Sequence, residues 1–309
     1  MSDSNAGSPV PSPAHAARSP SLQGRRFILK LSCPDGVGIV AAVTGLLAEH
    51  KGWIIESHNH AETESRRFFM RQEMLAQSLD VGMEELRQRF EPIATKFGME
   101  FTLTDTDVPK RVVILLSRQT HCLDDLLYRW RSAELPFDLK GVISNHEESR
   151  AFVEWHKVPF HLVKFESGRE SDKEAGFREI DGLFERYQPD VMVFARFMQI
   201  VPGWMCRKYP GRIINIHHSF LPSFVGTRPY HQAHQRGVKY VGATCHYVTE
   251  KLDDGPIIEQ DAFRTNHADT VEELIRTGRD VEKAVLARGL RYHLEDRVLL
   301  NGHKTVVFA

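Results

Sequence analysis

The chain has 309 residues, with 40 Lys or Arg against 41 Asp or Glu and a formal net charge of −1. That length exceeds one small domain and suits two, and the near-neutral balance argues against a large basic face for nucleic acid. No apolar stretch approaches the roughly 18 to 20 residues that span a bilayer, and Cys33, Cys122, Cys206 and Cys245 lack Cys-x-x-Cys spacing, so free thiols in a reducing cytoplasm are expected. Residues 1–24 are rich in Ser, Pro and Ala, without the continuous apolar core of a secretory signal. They read as a disordered tail.

The first ordered unit is expected over residues 25–106. Phe27-Ile28-Leu29-Lys30-Leu31-Ser32 is apolar enough for a strand, and Cys33-Pro34-Asp35-Gly36-Val37-Gly38 is a turn full of breakers. Ile39, Val40, Val43, Leu46 and Leu47 then recur at helical spacing up to Lys51-Gly52. Strands follow at Ile54–Asn59 and Phe68–Leu75, then an amphipathic helix carrying Met83, Leu86, Phe90, Ile93 and Phe97, then a strand from Met99 to Leu103. The order βαββαβ predicts a ferredoxin-like sandwich. With Pro34-Asp35-Gly36-Val37-Gly38-Ile39 in its first loop, this unit resembles the ACT family of small regulatory domains. The resemblance implies a small amino-acid effector near Asp35, Gly36 and Gly38. The same glycines also suit a plain turn.

Asp105-Thr106-Asp107-Val108-Pro109 reads as the linker to a second unit over 107–309. Arg111-Val112-Val113-Ile114-Leu115-Leu116-Ser117 is a continuous apolar run, as in a strand covered on both faces. Helices near 122–134, 147–156 and 171–187 then alternate with strands near 140–144, 160–163 and 190–194. This rhythm predicts a doubly wound, mostly parallel, Rossmann-like sheet. No Gly-x-Gly-x-x-Gly follows the first strand, so no dinucleotide cofactor is expected. Strands are expected at Val241–Thr249 and Pro256–Phe263. Thr270-Val271-Glu272-Glu273 reads as a capping box opening a helix through Leu274, Val281, Val285, Leu286 and Leu290, and Thr305–Phe308 as an edge strand.

The chemistry concentrates in two segments. Ile213-Ile214-Asn215-Ile216-His217-His218-Ser219-Phe220-Leu221-Pro222 reads as a buried strand end breaking into a loop, and Leu252-Asp253-Asp254-Gly255-Pro256-Ile257-Ile258 as a loop running into an apolar strand. Together they offer an amide donor, an imidazole and a carboxylate at strand ends, where open α/β sheets bind ligands. Those groups suffice for acyl transfer: an oxyanion donor, an acid, and a group that orients the nucleophile. Singly, Asn215, His217 and Asp253 each also fit a turn former or a packed side chain. His218, His231 and His234 beside His217 raise a metal alternative, but no His-x₃-His or Glu-bearing helix motif accompanies them, and no metal is expected.

Pro189-Asp190-Val191-Met192-Val193-Phe194-Ala195-Arg196-Phe197-Met198, the Asn215-Ile216-His217 segment, Gly242-Ala243-Thr244-Cys245-His246-Tyr247 and Leu252-Asp253-Asp254-Gly255-Pro256 together resemble the folate-dependent formyltransferase superfamily. The stretches His217-His218-Ser219-Phe220-Leu221-Pro222-Ser223-Phe224 and Pro229-Tyr230-His231-Gln232-Ala233-His234 are most similar to its deformylases, which act on 10-formyltetrahydrofolate and join an ACT domain to this fold. The resemblance covers residues 26–309. It implies that Asn215, His217 and Asp253 are catalytic, and that a pterin slot involves Arg196, Phe197, Met198, Gln199, Ile200, Thr249 and Leu252. It implies hydrolysis to tetrahydrofolate and formate, feeding purine biosynthesis, with folate as substrate rather than cofactor. His246, on a strand between Cys245 and Tyr247, is expected to support His217 or the carboxylate.

One departure bears on the acceptor. The ribonucleotide transformylases of the superfamily cradle a phosphate on a Gly-rich loop after the first strand. Here that position reads Ser117-Arg118-Gln119-Thr120-His121-Cys122, without glycine, which favours water over a phosphorylated amine. Formyl transfer to an amine, and a non-catalytic folate or amino-acid sensor, stay open as alternatives. The ACT resemblance also implies a homo-oligomer.

Overall fold

In the computed structural model, residues 24–165, 170–223 and 228–309 are described, and there the chain builds two large sheets in succession and then a two-stranded one. The tail expected over 1–24, except Gly24, and Phe224 of the loop motif lie outside the described residues. The first sheet follows the expected βαββαβ order: β1 (Arg26–Pro34), α1 (Ile39–Glu49), β2 (Ile54–Glu62), β3 (Arg67–Leu75), α2 (Met83–Phe97) and β4 (Glu100–Asp105). Its strands are antiparallel in the order β2-β3-β1-β4. One face, with Phe27, Leu29 and Leu31 of β1, packs on Ile39, Val43 and Leu47 of α1 and on Leu86, Phe90 and Ala94 of α2. Strict alternation puts Ile28 and Lys30 on the other face. They are covered too, because that face meets the second unit.

The second unit runs β5 (Arg111–Leu116), α3 (His121–Arg131), β6 (Asp138–Ser144), α4 (Arg150–Trp155), β7 (Phe160–Leu162), α5 (Glu170–Tyr187), β8 (Val191–Phe194), α6 (Gly203–Lys208), β9 (Ile213–His217), α7 (Pro229–Arg236), β10 (Tyr240–Tyr247), β11 (Ile257–Arg264) and α8 (Val271–Leu294). Its seven strands lie in the order β11-β10-β9-β8-β5-β6-β7. Strands β5 to β9 are parallel, and β10 and β11 are antiparallel additions at one edge. The apolar runs read as two-faced strands are two-faced. Val112, Ile114 and Leu116 join one core with Leu123, Leu127 and Leu286, whereas Val113 and Leu115 join the other with Phe177, Ile180 and Phe184. The chain crosses from β7 back to β8 on the far side of β5, which creates a switch point where the strands' carboxyl ends open a crevice. The expected capping box at Thr270 and Glu273 is formed at the start of α8.

Three elements differ from the sequence expectation. The one-turn α6 and the short α7, which starts at Pro229, were not anticipated. The terminal strand pairs with an unanticipated partner: β12 (Val298–Asn301) and β13 (Lys304–Val307) form a hairpin, turning at Gly302 with φ 60°.

The two units are joined by buried charge. Arg71 on β3, 1% exposed, donates from Nε to the carbonyl of Glu295 at 3.1 Å and pairs with Glu56 and Glu73. Asp296 accepts Lys30 of the first unit at 3.2 Å and Lys110 at 2.8 Å. Burial alone would raise the Asp296 carboxyl, but Lys110 and Lys30 outweigh it and hold it at about 2. Beside it His293, buried near the same two lysines, is pushed down to about 3, and its Nδ1 is hydrogen-bonded to the hydroxyl of Tyr247 at 2.8 Å.

Both groups bind a proton more readily in the unfolded chain, where His titrates near ~6.5 and Asp near ~3.9. The stability they supply is therefore full above about pH 6.5, and it drains first through His293 and then through Asp296 as the pH falls. Thermal melts from pH 7.5 to pH 4 should show a falling Tm, and His293→Gln should flatten the fall between about pH 6.5 and pH 4. A variant with the wild-type pH dependence would contradict the assignment.

Candidate active site

Next to that switch point, at the ends of β8 and β9, lies a cavity of about 240 Å³. Its lining brings together Asn215, His217, His246 and Asp253 with Arg196, Phe197, Met198, Gln199, Ile200, Thr249 and Leu252, all of the site residues expected in the second unit. Residues contributed by three separate segments, around 194–201, 215–218 and 246–253, thus face one space.

Strand pairing sets the donors. β10 lies antiparallel to β9 with His246 opposite Asn215 and Thr244 opposite His217. The His246 ring is buried and its Nδ1 lies 2.9 Å from the carbonyl of Tyr247, which can only accept, so that nitrogen carries the proton. Its Nε2 is then an acceptor, and the Asn215 amide donates to it at 3.1 Å. This fixes which end of the Asn215 side chain is the nitrogen and leaves its second N–H free. Burial pushes His246 down, so the ring stays neutral and keeps this role. His246 was expected behind His217 or the carboxylate; its hydrogen bond goes to Asn215 instead, because the ladder puts those two residues opposite each other.

His217 faces Asp253 through Nδ1, 3.3 Å from the carboxylate. Its Nε2 is buried without a hydrogen-bond partner. A buried polar atom left so is costly, about 1–3 kcal/mol, and marks where a ligand atom belongs. Burial alone would raise the Asp253 carboxyl, but the bond to His217 and the charge of that ring outweigh it and hold it below the usual carboxylate range. Asp253 is therefore ionised at neutral pH. Its backbone sits at φ 54°, in the left-handed region. The loop is pressed against the sheet two residues later: a Cβ on Gly255 would lie 1.7 Å from the carbonyl oxygen of Tyr247.

The opposite wall is the turn after β8. Arg196 is left-handed at φ 68°, a conformation costing a non-glycine residue about 1–3 kcal/mol. The end of β5 holds the turn: Ser117 N–H donates to the Arg196 carbonyl at 3.1 Å, and Ser117 Oγ accepts the N–H of Met198 at 3.1 Å. Phe197 turns into the core, 5% exposed, whereas Met198 and Ile200 are exposed at 55% and 66%. The turn thus presents an apolar lip to the cleft.

Several residues in or beside the cleft were not singled out from the sequence as part of the site. His218 lines the cleft beside His217 and is pushed down to about 3 by burial and by the Arg196 charge. Glu282 on α8 is 1% exposed and accepts from Tyr230 at 2.8 Å and pairs with His121 at 2.8 Å. A glutamate on the helix face shared by Leu274, Gly278 and Val285 was a visible signal in the sequence. His121, Cys122 and Glu282 form the one group among the described residues with three ligand-type atoms within 4.8 Å of one another. The Arg196 guanidinium stands 3.5 Å from Glu282 and already supplies the positive charge there. Asp35, Gly36 and Gly38 lie far along the chain in the β1–α1 loop. Gly38 adopts φ 91°, so backbone geometry accounts for that glycine, while a Cβ on Gly36 would meet nothing.

The formyl transferase family model matches residues 110–290. A formyltetrahydrofolate deformylase of Bacillus subtilis is 45% identical over 281 residues, covering 91% of this chain and 93% of its own length. The crystal structure of a formyltetrahydrofolate deformylase from Pseudomonas syringae pv. tomato superposes with a TM-score of 0.90 at 55% identity, covering 93% of this chain and 96% of that one. Glycinamide ribonucleotide transformylase 1 from Symbiobacterium toebii aligns with 65% of this chain and 95% of its own, at TM-score 0.60 and 29% identity.

The close approach at Gly255 gives a direct test of how the carboxylate is placed. Gly255→Ala should lower the unfolding free energy by about 1–3 kcal/mol in urea melts, and its crystal structure should show Asp253 drawn away from His217. An unshifted loop with unchanged stability would contradict this account.

Proposed function

The chain belongs to the formyltetrahydrofolate deformylase family, and we propose that this cleft hydrolyses 10-formyltetrahydrofolate to tetrahydrofolate and formate with Asn215, His217 and Asp253 as its catalytic residues. The observation that carries the reading is a pair of nitrogens left open to the cleft: the second N–H of an Asn215 amide fixed by His246, and the buried, partnerless Nε2 of His217, which donates when the ring is the imidazolium paired with Asp253. Two donors lining one cavity suit an oxyanion better than a neutral carbonyl.

Water attacks the formyl carbon, a C–O bond forms, and the carbonyl oxygen becomes an oxyanion held by Asn215 Nδ2 and His217 Nε2. Asp253, ionised, pairs with the imidazolium form of His217 through Nδ1–H and so aims the opposite N–H at that oxygen. Collapse of the intermediate breaks the C–N bond. The proton lost by water and the proton gained by the leaving nitrogen pass through the His217–Asp253 pair. The exposed lip at Met198 and Ile200 and the loop at Thr249 and Leu252 form the walls of the pterin slot, with Arg196, Phe197 and Gln199 behind them. His246 is a positioning residue that acts through Asn215.

The same reading assigns residues 25–106 as an ACT-like regulatory unit and 107–309 as the catalytic unit. A small amino-acid effector would sit at the loop of Asp35, Gly36 and Gly38, and copies of the chain would assemble through the first sheet. Fully exposed Val37 in that loop and β2 at the sheet edge support this. No helix among the described residues is long and apolar enough to cross a membrane, and four free, buried cysteines fit work in the cytoplasm.

Purified protein given 10-formyltetrahydrofolate and no amine should release formate. His217→Ala and Asn215→Ala should each slow that release by about 10²–10³-fold. Tetrahydrofolate forming only when an amine acceptor is added, with the formyl group recovered on that amine and not as formate, would refute hydrolysis, and a His217→Ala rate within about twofold of wild type would remove that residue from the oxyanion site.

A further inference from the structure

A second cavity of about 270 Å³ borders the catalytic cleft, and Arg196 and His218 line both spaces. The hydrolytic reading uses the cleft alone. The second cavity carries an excess of positive charge: Arg196, Arg228 and Arg279 line it with a single carboxylate, Glu282. That carboxylate is already engaged by His121 and Tyr230 and faces Arg196 at 3.5 Å. The Nε and Nη1 of Arg196 are nonetheless buried and lack a hydrogen-bond partner, because the approach to Glu282 is close but misaligned. Arg228 and Arg279 are exposed and make no ion pair among the described residues. The arrangement is an electrostatic funnel, with two arginines free at the surface and one buried with unspent donors.

We propose that this cavity is a subsite for a small carboxylate and that its occupant is formate, the anion released next door. The identity of the occupant rests on the hydrolytic reading; the anion-binding chemistry does not. Formate moves from the reacting centre past Arg196 and the neutral His218 ring, and pairs with guanidinium before reaching solvent. The product therefore has a way out that does not require the larger tetrahydrofolate to leave first. A planar, singly charged carboxylate matches the guanidinium fork. A phosphate dianion is favoured by a cradle of backbone amides, and the neighbouring loop Ser117–Cys122 has no glycine to let backbone approach.

The test uses the full chain and two probes, formate and inorganic phosphate, at constant ionic strength. The line width of ¹³C-formate in NMR should broaden saturably on addition of the protein, with no turnover needed, and phosphate should displace it only at higher concentration. In rate assays formate should inhibit, and the double variant Arg228→Gln with Arg279→Gln, which alters no residue of the cleft, should raise the formate inhibition constant by about tenfold or more. The KM for the formyl substrate should stay within about twofold, since those sites lie outside the cleft. An unchanged inhibition constant in the double variant, no saturable broadening, or displacement by phosphate at lower concentration than formate would each overturn the proposal. If ¹³C-formate binds as expected to a protein that releases no formate from the folate, the hydrolytic reading fails and the anion subsite stands.

Discussion

The antiparallel pairing of β10 with β9 is the constraint on which the cleft depends. Because His246 is opposite Asn215 and Thr244 is opposite His217, the donor amide and the imidazole are set by backbone hydrogen bonds rather than by flexible side chains. The same strand passes into the loop that returns Asp253 to within 3.3 Å of His217. A slip of one residue would turn every side chain of β10 to the other face, uncoupling Asn215 from His246. Close packing guards that alignment. Gly242, Gly255 and Gly289 lie against backbone or side-chain atoms of β10 or its partner β11 with no room for a Cβ.

Backbone strain gathers on both walls of the cleft. Arg196 and Asp253 both adopt left-handed backbone conformations that branched or bulky residues avoid. Each faces the cleft, and each is held by neighbours that are themselves fixed: Ser117 at the end of β5 for the first, the pressed Gly255 turn for the second. Such strain persists only where surrounding structure over-determines it. The rigidity reaches the domain junction as well, since Tyr247, next to His246, bonds His293, which lies beside the Asp296–Lys30–Lys110 cluster.

Much of this was legible in the sequence, for identifiable reasons. The alternation of β1 and the apolar runs of β5 and β8 have simple burial patterns, so their fold followed from periodicity. Asn215, His217 and Asp253 stood out because the motifs around them occur in a matching order. The short α6 and α7 were invisible because one or two turns do not establish a helical period. The β12–β13 hairpin is short and leans on the first unit, where Leu299 and Phe308 pack against Phe69, a contact that no local pattern announces. The partner of His246 depended on strand alignment, and the role of Glu282 on which side chains meet it across three helices; neither is a property of a local segment.

The central claim is that three side chains from distant parts of the chain surround one formyl carbonyl. It is tested most directly by a crystal structure of the protein with a non-hydrolysable analogue of 10-formyltetrahydrofolate. The account requires the formyl oxygen within about 3.2 Å of both Asn215 Nδ2 and His217 Nε2, with the pterin between the 196–200 turn and the 249–253 loop. A formyl group lying away from both donors, with the analogue bound in another cavity, would contradict it.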